Sequence, residues 1–120
     1  MNYNIKSTGV ELAADLRDYA EKKLAHAGKL LDADPTAHAD IELEHASSRE
    51  GDKNRAEFTV SASGAVYRAE AWGSTMFAAI DVGVAELVKE LSRGKKKRLH
   101  LLRRGAGRMK DIVRGFTDRF

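Results

Sequence analysis

The side chains with the most chemistry to offer are the lysines and arginines of the last quarter of the chain. Residues 93–120 hold 11 basic side chains against two acidic ones, Asp111 and Asp118, whereas residues 1–92 hold 10 basic against 16 acidic. A net charge of +9 thus follows a body of −6, and the whole chain carries +3. A basic end on an acidic body is the electrostatic footprint of a polyanion binder. Lys89, Arg93, Lys96 and Lys97 recur at steps of 4, 3 and 1, the spacing of one helical stripe, and Lys95 and Arg98 complete the run Lys95-Lys96-Lys97-Arg98. Lys22, Lys23 and Lys29 form a second set, with Arg17 earlier on the same segment. Cations fixed on a helix can follow a phosphate track, and each phosphate they neutralise releases counterions and steepens the salt dependence of binding. The plainer alternative is an ordinary solvated helix face.

Other chemistry has little to stand on. The four histidines (His26, His38, His45, His100) are scattered, with no second metal ligand three or four residues away in a recognised pattern. There is no cysteine, which excludes disulfides, zinc ribbons and thiol catalysis. No phosphate-binding glycine loop and no nucleophile elbow occurs; Ser63-Gly64 and Gly73-Ser74 are turn chemistry. The expectation is a non-enzymatic protein without metal, cofactor or small-molecule substrate. Aromatic residues give little support to base stacking: Tyr67 and Trp72 are expected to be partly exposed, while Phe58 and Phe77 are assigned to the core. Binding is therefore expected to be led by the nucleic-acid backbone.

The elements that must carry these cations follow from hydrophobic periodicity. Tyr3–Ser7 alternates as a first strand and Thr8-Gly9 breaks it. Leu12, Leu16, Tyr19, Leu24, Ala27 and Leu31 mark one apolar stripe over about five helical turns. Acids early in it (Asp15, Asp18, Glu21) and bases late suit the helix dipole, and the helix should stop before Asp34-Pro35. Three alternating segments follow: Ala39–Glu44, Ala56–Ser61 and Val66–Trp72, the last two joined by a tight turn at Ser63-Gly64-Ala65. Alternation implies one wet and one packed sheet face. Asp40, Glu42 and Glu44 make the wet face acidic. Phe77, Ile80, Val84, Leu87, Val88 and Leu91 define a strongly amphipathic second helix, with Ser74 or Thr75 as its N-cap and Gly94 as a weak point. Gly105-Ala106-Gly107 is a flexible break.

The predicted order is β-α-β-β-β-α, an α+β fold with both helices on one face of a four-stranded sheet and a basic C-terminal extension. At 120 residues, 42% hydrophobic and 32% charged, the chain is expected to form one soluble globular domain over residues 1–98, followed by the tail 99–120. No apolar run approaches the length of a membrane span, and Met1–Lys6 has no signal-peptide core, so a cytoplasmic location is expected. In the tail, Met109, Ile112, Val113, Phe116 and Phe120 alternate with Arg108, Lys110, Arg114 and Arg119 as a short basic amphipathic helix. Such a helix suits a membrane surface or a partner groove; docking on the body, or disorder until it meets RNA, are the alternatives.

The string Gly73-Ser74-Thr75-Met76-Phe77-Ala78-Ala79-Ile80-Asp81, followed by Leu87, Leu91 and Lys95-Lys96-Lys97, resembles the ribosome hibernation-promoting factors, also called the ribosome-associated inhibitor or ribosomal subunit interface protein family. Ile5-Lys6, Gly9, Leu16-Arg17-Asp18-Tyr19, Lys22-Lys23-Leu24 and Leu31-Asp32 extend the resemblance over about residues 2–98, in order and at the right spacing. It implies a partner, the small ribosomal subunit and its rRNA within the whole ribosome. It also implies a mechanism: occupation of the channel for mRNA and the A- and P-site tRNAs, block of initiation, and preservation of idle ribosomes in stationary phase or stress. Arg17, Lys23, Lys89, Arg93, Lys95 and Lys97 match basic positions of the family. Ile80 and Asp81 belong to the motif and are read as structural, Ile80 packing and Asp81 capping or pairing locally. Thr75 stands where an acid is usual; His26 and Glu86 stand where lysines are common, and both take positive charge from the expected RNA face. Long family members add a C-terminal dimerisation domain, for which residues 99–120 are too few, so a short form is expected. From other classes, two readings compete: a general RNA- or DNA-binding module, and a membrane- or partner-binding protein acting through Met109–Phe120.

Overall fold

The computed structural model describes residues 1–31 and 34–104, the side chains of Arg98, Leu102 and Arg104 excepted. The elements follow in the order β1 (Asn2–Thr8), α1 (Ala14–Gly28) with a 3-10 turn at Lys29–Leu31, β2 (His38–His45), β3 (Asn54–Ala62), β4 (Ala65–Gly73) and α2 (Met76–Arg104). They form one four-stranded sheet in the order β1-β2-β3-β4. β1 runs parallel to β2, as a strand returning through a helical crossover must, and the other pairs are antiparallel. The β3–β4 turn is Ser63-Gly64, both at positive φ (53° and 75°), the two-residue geometry whose twist matches that of the strands.

Alternation sorts the strands into two faces. Ala39, Ile41 and Leu43 of β2, Ala56, Phe58 and Val60 of β3 and Ala69 of β4 are buried on the inner face. Against them lie Leu16, Ala20, Leu24 and Ala27 of α1 and Met76, Ala79, Ile80, Val84, Leu87 and Leu91 of α2. Both helices therefore sit on one face of the sheet, as the pattern predicts. Among the described residues no charged or polar residue is buried, so hydrophobic transfer and close packing hold this two-layer core together.

Several details differ from the sequence reading. α1 starts at Ala14, not Leu12, and tightens into a 3-10 turn after Gly28. Phe77 is not core: it is 41% exposed and meets the Tyr19 ring edge-on, with centroids 4.9 Å apart. Its position is about 60° around α2 from the Ile80 line, which turns it toward α1. Gly94 does not interrupt α2. A Cβ there would lie 2.4 Å from the Tyr67 hydroxyl, so the missing side chain leaves room for the Tyr67 phenol against the helix. Gly83 serves similarly beneath Phe58, where a Cβ would approach a ring carbon to 2.7 Å. Thr75 is the cap of α2, its Oγ1 accepting the Ala78 N–H at 3.0 Å.

α2 has 29 residues, about 43 Å at helical rise, against about 30 Å for the nine-residue β4. The difference appears as an overhang. Lys96, Lys97, Leu99, His100, Leu101 and Arg103 are all exposed, whereas Leu91 is the last fully packed residue. α2 thus continues through residue 98 without a break. The suggested glycine break and the amphipathic segment Met109–Phe120 lie outside the described residues.

Candidate nucleic-acid interface

The outer face of the sheet and the outer face of the helix layer are the two polar surfaces on which the cations can work. On the sheet, the register aligns Lys6, Glu42, Glu57 and Glu70 in one row across the strands. Three carboxylates side by side repel one another. Arg55, in the neighbouring row, answers all of them. Its guanidinium reaches Glu44 at 2.9 Å and Glu42, Glu57 and Glu70 at 3.2 Å each, with its side chain only 12% exposed. Burial lowers the arginine pKa, but hydrogen bonding to Glu44 and the surrounding carboxylates outweigh it and hold the group above its ordinary value. Beside this hub, Arg49 stacks on the Trp72 ring at 3.4 Å, and the indole N–H donates to Glu70 at 3.2 Å. The charges of this face are spent on each other, and carboxylates prevail. A phosphate backbone is not attracted to it.

The helix layer is arranged differently. Tyr19 and Lys23, one turn apart on α1, face Phe77 and Asp81, one turn apart on α2. The contacts ascend both chains together, so α1 and α2 run side by side in the same direction and their carboxyl ends share one end of the molecule. That end carries the negative ends of two helix dipoles, and it is where the lysines gather. Lys22 and Lys29, two turns apart and both exposed, point outward from α1 and its 3-10 turn. Lys89, Arg93 and Lys96 are exposed along the side of α2 opposite Ile80, Leu87 and Leu91. Lys97 is exposed one step round the helix and Lys95 is half-buried. Arg98 belongs to α2, but its side chain is outside the description.

The structure does not place all ten sequence-predicted cations on one surface. Arg17 is exposed, and its charge counteracts the rise in the pKa of the Tyr3 phenol on β1, which is caused mainly by the hydrogen bond to Glu21. Lys23 enters the seam between the helices. Its Nζ lies 3.4 Å from Asp81 Oδ1 and 5.4 Å from the Tyr19 ring centroid. Two others carry carboxylate partners one turn away: Lys89 with Glu86 at 3.3 Å, and Arg93 with Glu90. Asp81 neither caps α2 nor pairs within it. Instead its Oδ1 accepts the Tyr19 hydroxyl at 2.6 Å across the helix seam. That bond is the leading cause of a raised Tyr19 pKa. The i,i+4 spacing of both pairs, each an aromatic member of its apolar stripe followed by a charged residue, is the available sequence signal.

Among the described residues no group of three or more His, Asp or Glu could hold a metal ion, and no helix is long and apolar enough to cross a membrane. What the described residues do form is a two-layer α+β domain with a cationic, outward-facing helix layer and an acidic, internally paired sheet face. Comparison with known proteins places it. Residues 3–99 match the model of the sigma 54 modulation protein / S30EA ribosomal protein family, and the chain belongs to that family.

Its relatives include the ribosome hibernation promotion factor of Mycobacterium tuberculosis, 34% identical over 96 residues (78% of this chain, 42% of that protein). Another is the factor of the same name from a Picosynechococcus strain, 32% identical over 98 residues (81% of this chain, 50% of that protein). The chain spans about half the length of the curated relatives it matches. Among solved structures, the N-terminal domain of Thermus thermophilus Protein Y superposes with a TM-score of 0.65 at 31% identity, covering 78% of this chain and 98% of that one. A ribosomal subunit interface protein from Coxiella burnetii, 22% identical with a TM-score of 0.64 over 80% of this chain and 99% of that one, shares the fold.

Proposed function

We propose that the chain is a non-catalytic, cytoplasmic translation inhibitor that binds the small ribosomal subunit in its mRNA/tRNA channel and keeps ribosomes dormant during stress or stationary phase. The observation that carries this is the placement of Lys22, Lys29, Lys89, Arg93, Lys96 and Lys97 on the outward face of the helix layer, in a fold whose relatives are named for ribosome hibernation. Cations on two rigid, parallel helices form a fixed array that can meet phosphates of folded rRNA without reading bases. Lys23 lies at the seam, Lys95 beside the stripe, and Arg17 on the β1 flank; Arg98 continues the run on the overhang. Residues 1–98 are proposed as the ribosome-binding unit and the basic extension as an auxiliary contact. Inhibition is steric: a domain seated in the channel excludes mRNA and tRNA.

Co-sedimentation with purified small subunits and whole ribosomes, at rising salt and with mRNA plus initiator tRNA as competitor, tests it. Saturable binding near one copy per ribosome, lost when the channel is filled, is expected. Unsaturable binding, equal on bulk RNA and indifferent to the competitor, would mean a general polyanion binder.

A further inference from the structure

The seam between α1 and α2 carries a contact that the phosphate-facing stripes do not account for. Two residues on α1, Tyr19 and Lys23, meet two on α2, Phe77 and Asp81. The Tyr19 ring stands edge-on to Phe77, its hydroxyl donates to Asp81 Oδ1 at 2.6 Å, and the same oxygen holds the Lys23 ammonium at 3.4 Å. Lys23 also lies over the Tyr19 ring, 5.4 Å from its centroid. Every polar partner in this set belongs to the opposite helix or to the neighbouring turn. The seam is open to solvent, with side-chain exposure of 38% at Lys23 and 47% at Asp81. A buried structural tie would not be left so accessible.

A free lysine is a flexible point charge, and ordering its four-carbon stem opposes binding. Here the ammonium already has a partner in Asp81 and a ring beneath it in Tyr19. An ammonium has three donors, so engagement with Asp81 and with the Tyr19 hydroxyl still leaves one for an incoming anion. Lys23 neighbours Lys22 on α1 and reaches across the seam to Asp81, about two turns before Lys89 on α2, so it stands on the side of α1 that faces the second stripe. We propose that Asp81 is a positioning residue that holds Lys23 over the seam, where its ammonium joins the two helical stripes into one phosphate track. The inference rests on the functional reading above and adds a residue to it that carries the wrong charge for direct contact with RNA.

That charge gives the proposal its test. Asp81→Asn removes one negative charge while keeping an oxygen that accepts the Tyr19 hydroxyl. If Asp81 only repelled RNA, the variant would bind more tightly. As a positioning residue, its replacement weakens small-subunit binding about threefold, the scale of an exposed ion pair, despite the more favourable net charge. The decisive measurement is a double-mutant cycle on the full chain. Wild type, D81N, K23A and the double variant are titrated with purified small subunits at fixed salt, with thermal melts of each. Expected is a loss from D81N in the wild-type background and no loss in the K23A background. Tightening by D81N in both backgrounds, or an equal loss in both, overturns the proposal. The first outcome makes Asp81 a simple repulsive charge and the second a packing residue. Tyr19→Phe, which keeps the ring contacts and removes the donor, serves if D81N melts early, with the same cycle against K23A. Failure of the wild-type chain to bind small subunits saturably overturns the functional reading first and the proposal with it, a result distinct from wild-type binding without coupling.

Discussion

The two outward surfaces of this domain hold similar kinds of residue and use them in opposite ways. On the sheet face one guanidinium, Arg55, serves four carboxylates within 3.2 Å and is nearly withdrawn from solvent. On the helix face the cations stand in solvent, and their carboxylate partners, where they have one, are single and exposed. An ion pair enclosed by neighbours is set by the fold and resists exchange for another anion. An exposed pair on a helix is worth little and exchanges readily. Charge sign alone therefore does not distinguish a binding surface from a structural one; the state of pairing does.

Removing the helix cations should produce the largest effect. Lys89→Ala, Arg93→Ala and Lys96→Ala combined should lower affinity for small subunits on the order of a hundredfold and flatten the salt slope by about two to three. The melting temperature should stay nearly unchanged, because all three side chains are exposed. Co-sedimentation over a salt series reads both quantities, and a retained slope would remove these residues from the interface.

The complementary change falls on the sheet. Arg55→Met leaves Glu42, Glu44, Glu57 and Glu70 facing one another without their shared partner. The four carboxylates are between 27% and 47% exposed, so water absorbs part of the repulsion. A loss of about 2 kcal/mol is expected, well under the figure for a fully buried pair, which lowers the melting temperature by about 10 °C in a domain of this size. Small-subunit affinity measured below the transition should not fall. A variant that melts normally but binds poorly would reverse the assignment of the two faces.

A smaller gain should come from Glu86→Lys. Glu86 pairs with Lys89 at 3.3 Å, so a phosphate approaching Lys89 competes with a tethered carboxylate. Replacing it removes the competitor and adds a cation. Binding should tighten by about three- to fivefold and the salt slope should steepen. An unchanged slope would show that Lys89 and its neighbour stand outside the contact.

Much of this was legible in the sequence because period and charge are local properties. The alternation of Ala39–Glu44 and Ala56–Ser61 and the steps of the α2 stripe give the elements, their order and the buried faces. The overhang of α2 was less legible, because Gly94 weakens a helix by propensity but here meets Tyr67, 27 residues away. The Arg55 hub depends on strand register, which aligns Glu42, Glu57 and Glu70 from three segments; no spacing within one segment announces it. The departure of Lys23 and Arg17 from the outward stripe follows from which neighbour flanks α1 on each side, a property of the assembled sheet. The cations themselves are legible in sequence, but which of them carry a carboxylate partner and which stand alone emerges only in three dimensions.

The smallest effect expected lies in the carboxylate that anchors the sheet's rim. Asp34 accepts the Thr36 hydroxyl at 2.6 Å and the Thr36 N–H at 2.8 Å, while its other oxygen accepts the Ser63 N–H at 2.9 Å. It thereby ties the loop entering β2 to the β3–β4 turn, where Ser63 holds its positive φ. These bonds favour the charged form, the Thr36 hydroxyl most, and hold the carboxyl below its ordinary 3.8. A carboxylate with a depressed folded-state pKa stabilises the fold fully above the unfolded-state value, and that contribution is lost as the pH falls through the lowered one. Asp34→Asn should therefore be less stable than wild type in urea at neutral pH, and the gap should close as both are taken from about pH 5 to about pH 2. Comparing the pair at each pH cancels the titration of the other carboxylates. A gap that stays constant to the acid end would assign the effect to hydrogen-bond geometry alone. A gap that widens would contradict the direction of the shift, and with it the view that the charged Asp34 ties the loop entering β2 to the β3–β4 turn.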